Sequence, residues 1–84
     1  MATYGDAIKE HARIAVQIYK SKLPEIEKIA GFMISPDGSN TACSCEDVKR
    51  YLQAIQSAGG MVGFTSAKMV VTNAIHKAGL PPVT

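Results

Sequence analysis

The stretch SCEDVKRYLQAIQSAGG, residues 44–60, is the clearest indication of a helical fold, because it contains an amphipathic pattern together with helix start and stop signals. Ser44 and Asp47 have the spacing of a capping box, which begins helices. Gly59 and Gly60 are typical helix terminators. Between them, apolar residues recur at i, i+3, i+4 and i+7, namely Val48, Tyr51, Leu52 and Ile55. The pattern predicts a helix over about 45–58.

Two further helices are predicted before this stretch. A cap at Thr3 and Asp6 begins the first helix, which runs to about Lys20. Its apolar positions are Tyr4, Ile8, Ala12, Ile14, Ala15, Ile18 and Tyr19. Pro24 begins a short helix over 24–30, because proline is tolerated in a first helical turn. Gly31 then stands where a left-handed cap is usual.

The last helix is predicted over 66–78, with Thr65 or Ser66 as its cap and Gly79 as its stop. The connector before it, residues 61–64, is apolar and is assigned either to a buried loop or to a short strand. Residues 35–38, Ser-Pro-Asp-Gly, predict a turn. The expected fold is a mostly α, compact bundle of three to four helices, with a small two-stranded hairpin at residues 32–43 as an option.

Composition narrows the classes of protein. A chain of 84 residues supports one domain, here 1–84, because a second core could not bury enough apolar surface. A net charge of +2 does not by itself indicate a polyanionic partner. The beginning of the sequence has the pattern of neither a signal peptide nor a membrane span. We therefore expect no membrane association and a cytoplasmic, reducing environment.

Cys43 and Cys45 are the residues that first suggest chemistry. Together with His11 or His76 they have the ligand types of a zinc site, but each histidine stands alone on a distant helix. Cys45 would lie in a first helical turn, where the helix dipole favours a thiolate, although Glu46 beside it opposes that charge. We expect free thiols that pack beside a helix cap, without a metal, a cofactor or a disulfide.

No pattern in the sequence predicts catalysis. The carboxylates fall at caps, in turns or on solvated helix faces, and the glycines do not have the spacing of a phosphate-binding loop. The sequence therefore predicts that the protein is not an enzyme and has no catalytic residues.

The polar face of the last helix is the best candidate for an interaction surface. The residues assigned to it are Phe64, Lys68, Met69, Thr72, Asn73, His76 and Lys77. Methionines and Phe64 in or beside loops favour a small regulator, adaptor or inhibitor that binds another protein, with self-association as a variant. The alternative is a nucleic-acid-binding, helix-turn-helix-like regulator, in which Lys68, Asn73 and Lys77 contact the duplex and Lys49 or Arg50 positions phosphates.

Overall fold

The structure, a computed structural model, describes residues 3–83 and places its helices around one hydrophobic core. α1 is Tyr4–Ile18, α2 is Leu23–Ala30 and α3 is Cys45–Lys77; a 3-10 turn over Lys20–Lys22 lies between the first two. The predicted mostly α, compact bundle is confirmed. The radius of gyration is 11.2 Å, close to the roughly 12 Å expected for a chain of this length.

Capping boxes begin both α1 and α3, as the sequence predicts. The Asp6 N–H donates to the Thr3 hydroxyl at 3.2 Å, and the Thr3 N–H donates to the Asp6 carboxylate at 3.0 Å. Ser44 and Asp47 repeat this exchange at the start of α3. Because each box satisfies backbone N–H groups that have no partner inside the helix, local sequence alone sets both starts.

The other boundaries predicted for the first two helices are met within two residues. α1 ends at Ile18 instead of Lys20, and α2 begins at Leu23, one residue before the proline. Gly31 adopts the expected left-handed conformation, with φ 81°, and its N–H donates to the Glu27 carbonyl at 2.9 Å. Glycine reaches this conformation without a steric penalty, so it ends α2 cleanly.

α3 changes direction at Gly60, whose backbone has φ 70° and ψ −164°. This conformation is essentially restricted to glycine. Residues 61–64 are already helical, so the predicted loop or strand there, and the cap at Thr65 or Ser66, are wrong. Gly60 is therefore the one non-helical residue between the two helical segments of α3. We call residues 45–59 the first arm of α3 and residues 61–77 its second arm.

The two arms lie side by side and form a helical hairpin. Val48 and Leu52 of the first arm line the same cavity as Val71 and Ile75 of the second arm, and all four side chains are buried. α1 and α2 both pack on α3, and their buried residues join the same core. The break at Gly60 therefore allows one long helical segment to supply two layers of the bundle.

Tyr19, at the end of α1, packs against α3 on both sides of the break. A Cβ atom placed on Gly63 would lie 2.5 Å from the Tyr19 hydroxyl oxygen, and one on Gly59 would lie closer still. Lys22 adds a hydrogen bond, because its ammonium donates to the Ala58 carbonyl at 3.2 Å. The missing side chains of these two glycines thus allow α1 to approach the break closely.

One part of the predicted core of α1 is wrong. The sequence predicts Ile14 and Ile18 on the apolar, packed side of the helix, but both are exposed. Ile8, Ala12 and Ala15 are buried as predicted. Within residues 3–83, α3 is the helix that packs most extensively on α1, and the outer edge of the wide apolar face of α1 stays exposed.

Residues 32–43 form a tight turn in place of the optional hairpin. Ile34 and Asn40 make one isolated antiparallel bridge, and the described part of the chain contains no β-strand. The Asn40 side-chain amide donates to the Gly5 carbonyl at 3.3 Å, while its oxygen accepts from the Ala42 N–H at 3.0 Å. Because Asn40 takes up the N–H of Ala42 and binds α1, the strand pairing does not extend.

Candidate functional site

The residues of the predicted interaction surface all lie in the second arm of α3. Phe64 is half-buried, and the other six are exposed. These six spread over about half of the helix circumference, because Lys68 and Lys77 are nine residues apart. They border separate depressions, with Lys68, Thr72 and His76 at one and Asn73 and Lys77 at another. The structure thus replaces one predicted surface with two distinct sites.

Lys68, Thr72 and His76 lie at successive turns and line one side of a cavity of about 150 Å³ between the two arms. The buried walls of this cavity are Val48, Leu52, Val71 and Ile75. The Lys68 ammonium lies 5.9 Å from the centroid of the Phe64 ring, within range of a cation–π interaction. The cavity is therefore apolar inside, with polar and cationic groups along one edge.

A C-terminal strap, residues 79–83, closes another side of the cavity. Gly79 has φ 73° and its N–H donates to the His76 carbonyl at 3.1 Å, while the Leu80 N–H donates to the Ile75 carbonyl at 3.2 Å. These bonds form a Schellman motif, which fixes the chain direction after a helix. The Tyr4 hydroxyl also donates to the Pro81 carbonyl at 3.0 Å. Hydrogen bonds thus hold the strap at its start and at its middle residue, Pro81.

A neighbouring face of the second arm joins α1 in an exposed apolar band, since Met69 is one residue, or about 100° around the axis, from Lys68. We define the apolar band as Ile14, Ile18, Met61, Val62 and Met69, whose exposed fractions range from 42% for Ile14 to 84% for Val62. Three shallow grooves adjoin here, since Ile14 borders two of them and Val70 also borders two. The band is therefore one continuous surface spread over two helices.

The sequence predicts only part of this band. Met61 and Met69 are predicted to be adaptable side chains, whereas Ile14 and Ile18 are predicted on the packed side of α1 and Val62 in a connector. The signal available was the width of the apolar face of α1, which is greater than one packing partner can cover. Deciding which edge stays exposed required the positions of α2 and α3.

The structure also separates the residues proposed to contact a duplex. Lys68 lines the cavity, whereas Asn73 and Lys77 border a groove beside α1. Lys49 and Arg50, the residues suggested for phosphate positioning, form ion pairs with Glu46 and Asp47. One helix cannot present opposite faces to the same groove of a duplex. Nucleic-acid binding stays a prediction.

Comparison of the chain with protein families, with curated proteins and with solved structures finds no match. The functional assignments below therefore rest on this chain's own residues. None of the helices within residues 3–83 combines the length and the apolar character needed to cross a bilayer.

A buried polar pair lies inside the core, away from both faces. His11 Nδ1 is 2.5 Å from the Tyr51 hydroxyl oxygen. Burial lowers the pKa of His11 and raises the pKa of Tyr51, so both groups are neutral near pH 7. We assign the proton of His11 to Nε2, because the buried Tyr51 hydroxyl can then donate to Nδ1.

This pair predicts that stability falls in mild acid. The pKa of His11 is lowered in the folded state, so as pH decreases through about 6.5 the unfolded chain takes up a proton that the folded chain resists. The free energy of unfolding should therefore be constant above about pH 7.5 and fall progressively below about pH 6.5. Urea denaturation at intervals between pH 5.5 and 8 measures this slope, at values where the carboxylates stay ionised.

The matched variants are His11→Gln and His76→Gln, since His76 is the other histidine and is exposed. His11→Gln should remove most of the slope, because glutamine keeps an acceptor for Tyr51 but does not titrate. His76→Gln should retain it. A slope that persists in His11→Gln would show that another group causes the acid sensitivity.

The cysteines lie at the start of α3. Cys43 is exposed, Cys45 is half-buried, and both are free thiols. The backbone N–H of Cys43 donates to Asp47 at 2.9 Å and, together with Arg50 and Ser44, holds the pKa of Asp47 at about 2. Within residues 3–83, no three side chains of His, Cys, Asp or Glu are placed to hold a metal ion. That the thiols serve only in packing stays a prediction.

Proposed function

We propose that this domain is a non-enzymatic interaction protein that binds an amphipathic helix of another protein along the apolar band. The observation that carries the proposal is the continuity of the band, which exposes five large apolar side chains on adjoining helices. Contiguous apolar surface of this kind marks interaction sites, because leaving it in water is unfavourable.

The shape of the band suits a helical ligand. The grooves run along α1 and the second arm of α3, and an amphipathic helix can lay its apolar face into such a surface with residues at i, i+3, i+4 and i+7. Met61 and Met69 are flexible and polarisable, so they can adapt to the side chains of a ligand. Val62, the most exposed member, offers a rigid contact beside them.

Charge favours a different protein over a second copy of this chain. The charged residues that border the grooves of the band are Glu10, Arg13 and Lys77. Within the described residues, neither Arg13 nor Lys77 takes part in an ion pair. In a two-fold interface each copy would offer one carboxylate, Glu10, to two cations, whereas several acidic residues flanking the apolar face of a partner helix would complement both cations.

The proposal is tested by selecting displayed helical peptides of about 18 residues, or five turns, against the whole protein. The selected peptides should combine an apolar stripe with acidic flanks. Val62→Lys and Met69→Lys should each weaken binding about tenfold or more, because each places an unpaired charge in the apolar contact. Met33→Lys is the matched control, since Met33 is 75% exposed but lies outside the band; it should leave affinity unchanged.

Two results would contradict the proposal. Selected peptides whose affinity is equally insensitive to all three substitutions would show that the band is not the binding surface. Light scattering that finds a dimer in the wild type, and a monomer in Val62→Lys, would assign the band to a second copy of this chain. Neither result depends on recovering a natural partner.

A further inference from the structure

We propose that the cavity between the arms of α3 is a binding site for a small aliphatic carboxylate, with the hydrocarbon inside and the carboxylate beside Lys68. This site is separate from the apolar band, since Lys68 and the band residue Met69 border different depressions of the surface. The inference does not rest on the protein-binding function proposed above.

The size of the cavity sets the size of the ligand. Its volume is about 150 Å³, and an engineered apolar cavity of that size in another protein takes up benzene. A ligand of about six or seven non-hydrogen atoms therefore fits, which corresponds to a short branched acid. Its hydrocarbon would contact the buried side chains of Leu52, Val71 and Ile75.

The polar groups of the cavity select the charge of the ligand. Lys68, Thr72 and His76 supply an ammonium, a hydroxyl and an imidazole along one edge, and none of the described lining residues is acidic. All three can donate hydrogen bonds to a carboxylate, and Lys68 adds a charge-assisted one. An apolar cavity with a cationic edge matches an amphipathic monoanion better than a neutral hydrocarbon.

The strap makes the cavity a formed site in the absence of ligand. Leu80, Pro82 and Val83 supply one wall, and the Schellman bonds and the Tyr4–Pro81 hydrogen bond hold that wall in place. A ligand therefore does not have to order a segment of chain when it binds, which removes an entropic cost.

The probe for the test is 3-methylbutanoate, titrated into the whole protein and followed by methyl NMR. The expected shifts are at the methyl groups of Leu52, Val71, Ile75 and Leu80, with a dissociation constant of about millimolar order for so small a ligand. The neutral isostere 3-methylbutanamide should bind about threefold to tenfold more weakly, because it loses the charge-assisted hydrogen bond to the ammonium.

Lys68→Gln should weaken the binding of the carboxylate by the same factor and leave the affinity for the amide unchanged. Lys77→Gln is the matched control on the opposite face of the same arm, and it should change neither affinity. Both lysines are exposed, so neither variant is expected to disturb folding. Val71→Leu, which fills part of the cavity, should weaken the binding of both the acid and the amide. The methyl spectrum of this variant reports whether it is folded.

Several outcomes would overturn this proposal. Equal affinity for the acid and the amide would show that Lys68 does not select a carboxylate. Shifts confined to the apolar band would place the ligand elsewhere. Absence of binding by the free acid, together with binding by an N-acetylated peptide that ends in leucine, would assign the cavity to a chain terminus. None of these outcomes bears on the peptide selection with Val62→Lys, so the two proposals fail independently.

Discussion

Tyr51→Ala is expected to lower the free energy of unfolding by about 3–5 kcal/mol, a large share of the roughly 5–15 kcal/mol that holds a small domain together. Tyr51 is fully buried in the first arm of α3. Its ring stacks on Phe32 with centroids 6.4 Å apart, and it meets the His11 ring edge-on at 5.6 Å. Alanine would therefore leave a cavity where α1, the 32–43 turn and α3 meet.

The hydroxyl of Tyr51 is tested separately by Tyr51→Phe. This variant keeps the ring but leaves His11 Nδ1 buried without its donor, so it should cost about 1–3 kcal/mol. Tyr4→Phe is the matched control, because the hydroxyl of Tyr4 also makes one hydrogen bond but lies nearer the surface. Its cost should be at most about 1 kcal/mol. Chemical denaturation at pH 7.5 measures all three variants; full stability of Tyr51→Phe would contradict the role of the buried pair.

The second large effect is expected at Gly60. Gly60→Ala should destabilise the fold by about 1–3 kcal/mol, because its φ of 70° and ψ of −164° lie in a region that other residues scarcely enter. Alanine favours helix more strongly than any other residue, so it also promotes straightening of α3. A straight α3 would detach the second arm from its own core and allow it to pack on another copy. Thermal denaturation and light scattering measure both effects.

Gly79 is the matched position for this test. It also has a positive φ, of 73°, and a Cβ atom at either glycine would meet nothing within 4 Å. Gly79 is in the left-handed helical cap, which asparagine tolerates, so Gly79→Asn should cost about 1 kcal/mol or less. Gly60→Asn should be as damaging as Gly60→Ala. Equal, small effects at both positions would show that the backbone at Gly60 is not strained by a side chain.

The contrast between these two glycines shows how far local patterns extend. Gly79 stands after a periodic helix and before two prolines, so its role in ending α3 follows from neighbouring residues. Gly60 also follows a periodic helix, and the sequence predicts a break there. The sequence does not predict that the helix resumes directly after Gly60, because Gly59, Gly63 and the residues between them resemble a loop. In the structure, the absence of side chains on Gly59 and Gly63 instead makes room for Tyr19, which lies about 40 residues earlier in the chain.

The candidate sites show the same division. The exposed positions of the second arm were identified from its period, since the buried residues Ala67, Val71 and Ile75 define the opposite side. Helical periodicity does not indicate which other element lies beside each exposed residue. Lys68 lies beside the first arm and the strap, whereas Lys77 lies beside α1, and these separate environments turn one predicted surface into a cavity and a band.

Local sequence patterns predict the helical class, the capping boxes at Thr3 and Ser44, the stops at Gly31 and Gly79, and most of the inward-facing residues. These features depend on backbone hydrogen bonds and side-chain spacing within a few residues, which the sequence contains directly. The exposure of Ile14 and Ile18, the pairing of His11 with Tyr51 and the cavity between the arms are visible only in the folded chain. Those outcomes depend on which surfaces meet after α3 turns back, and contacts between residues distant in sequence are set by the packing of the whole chain.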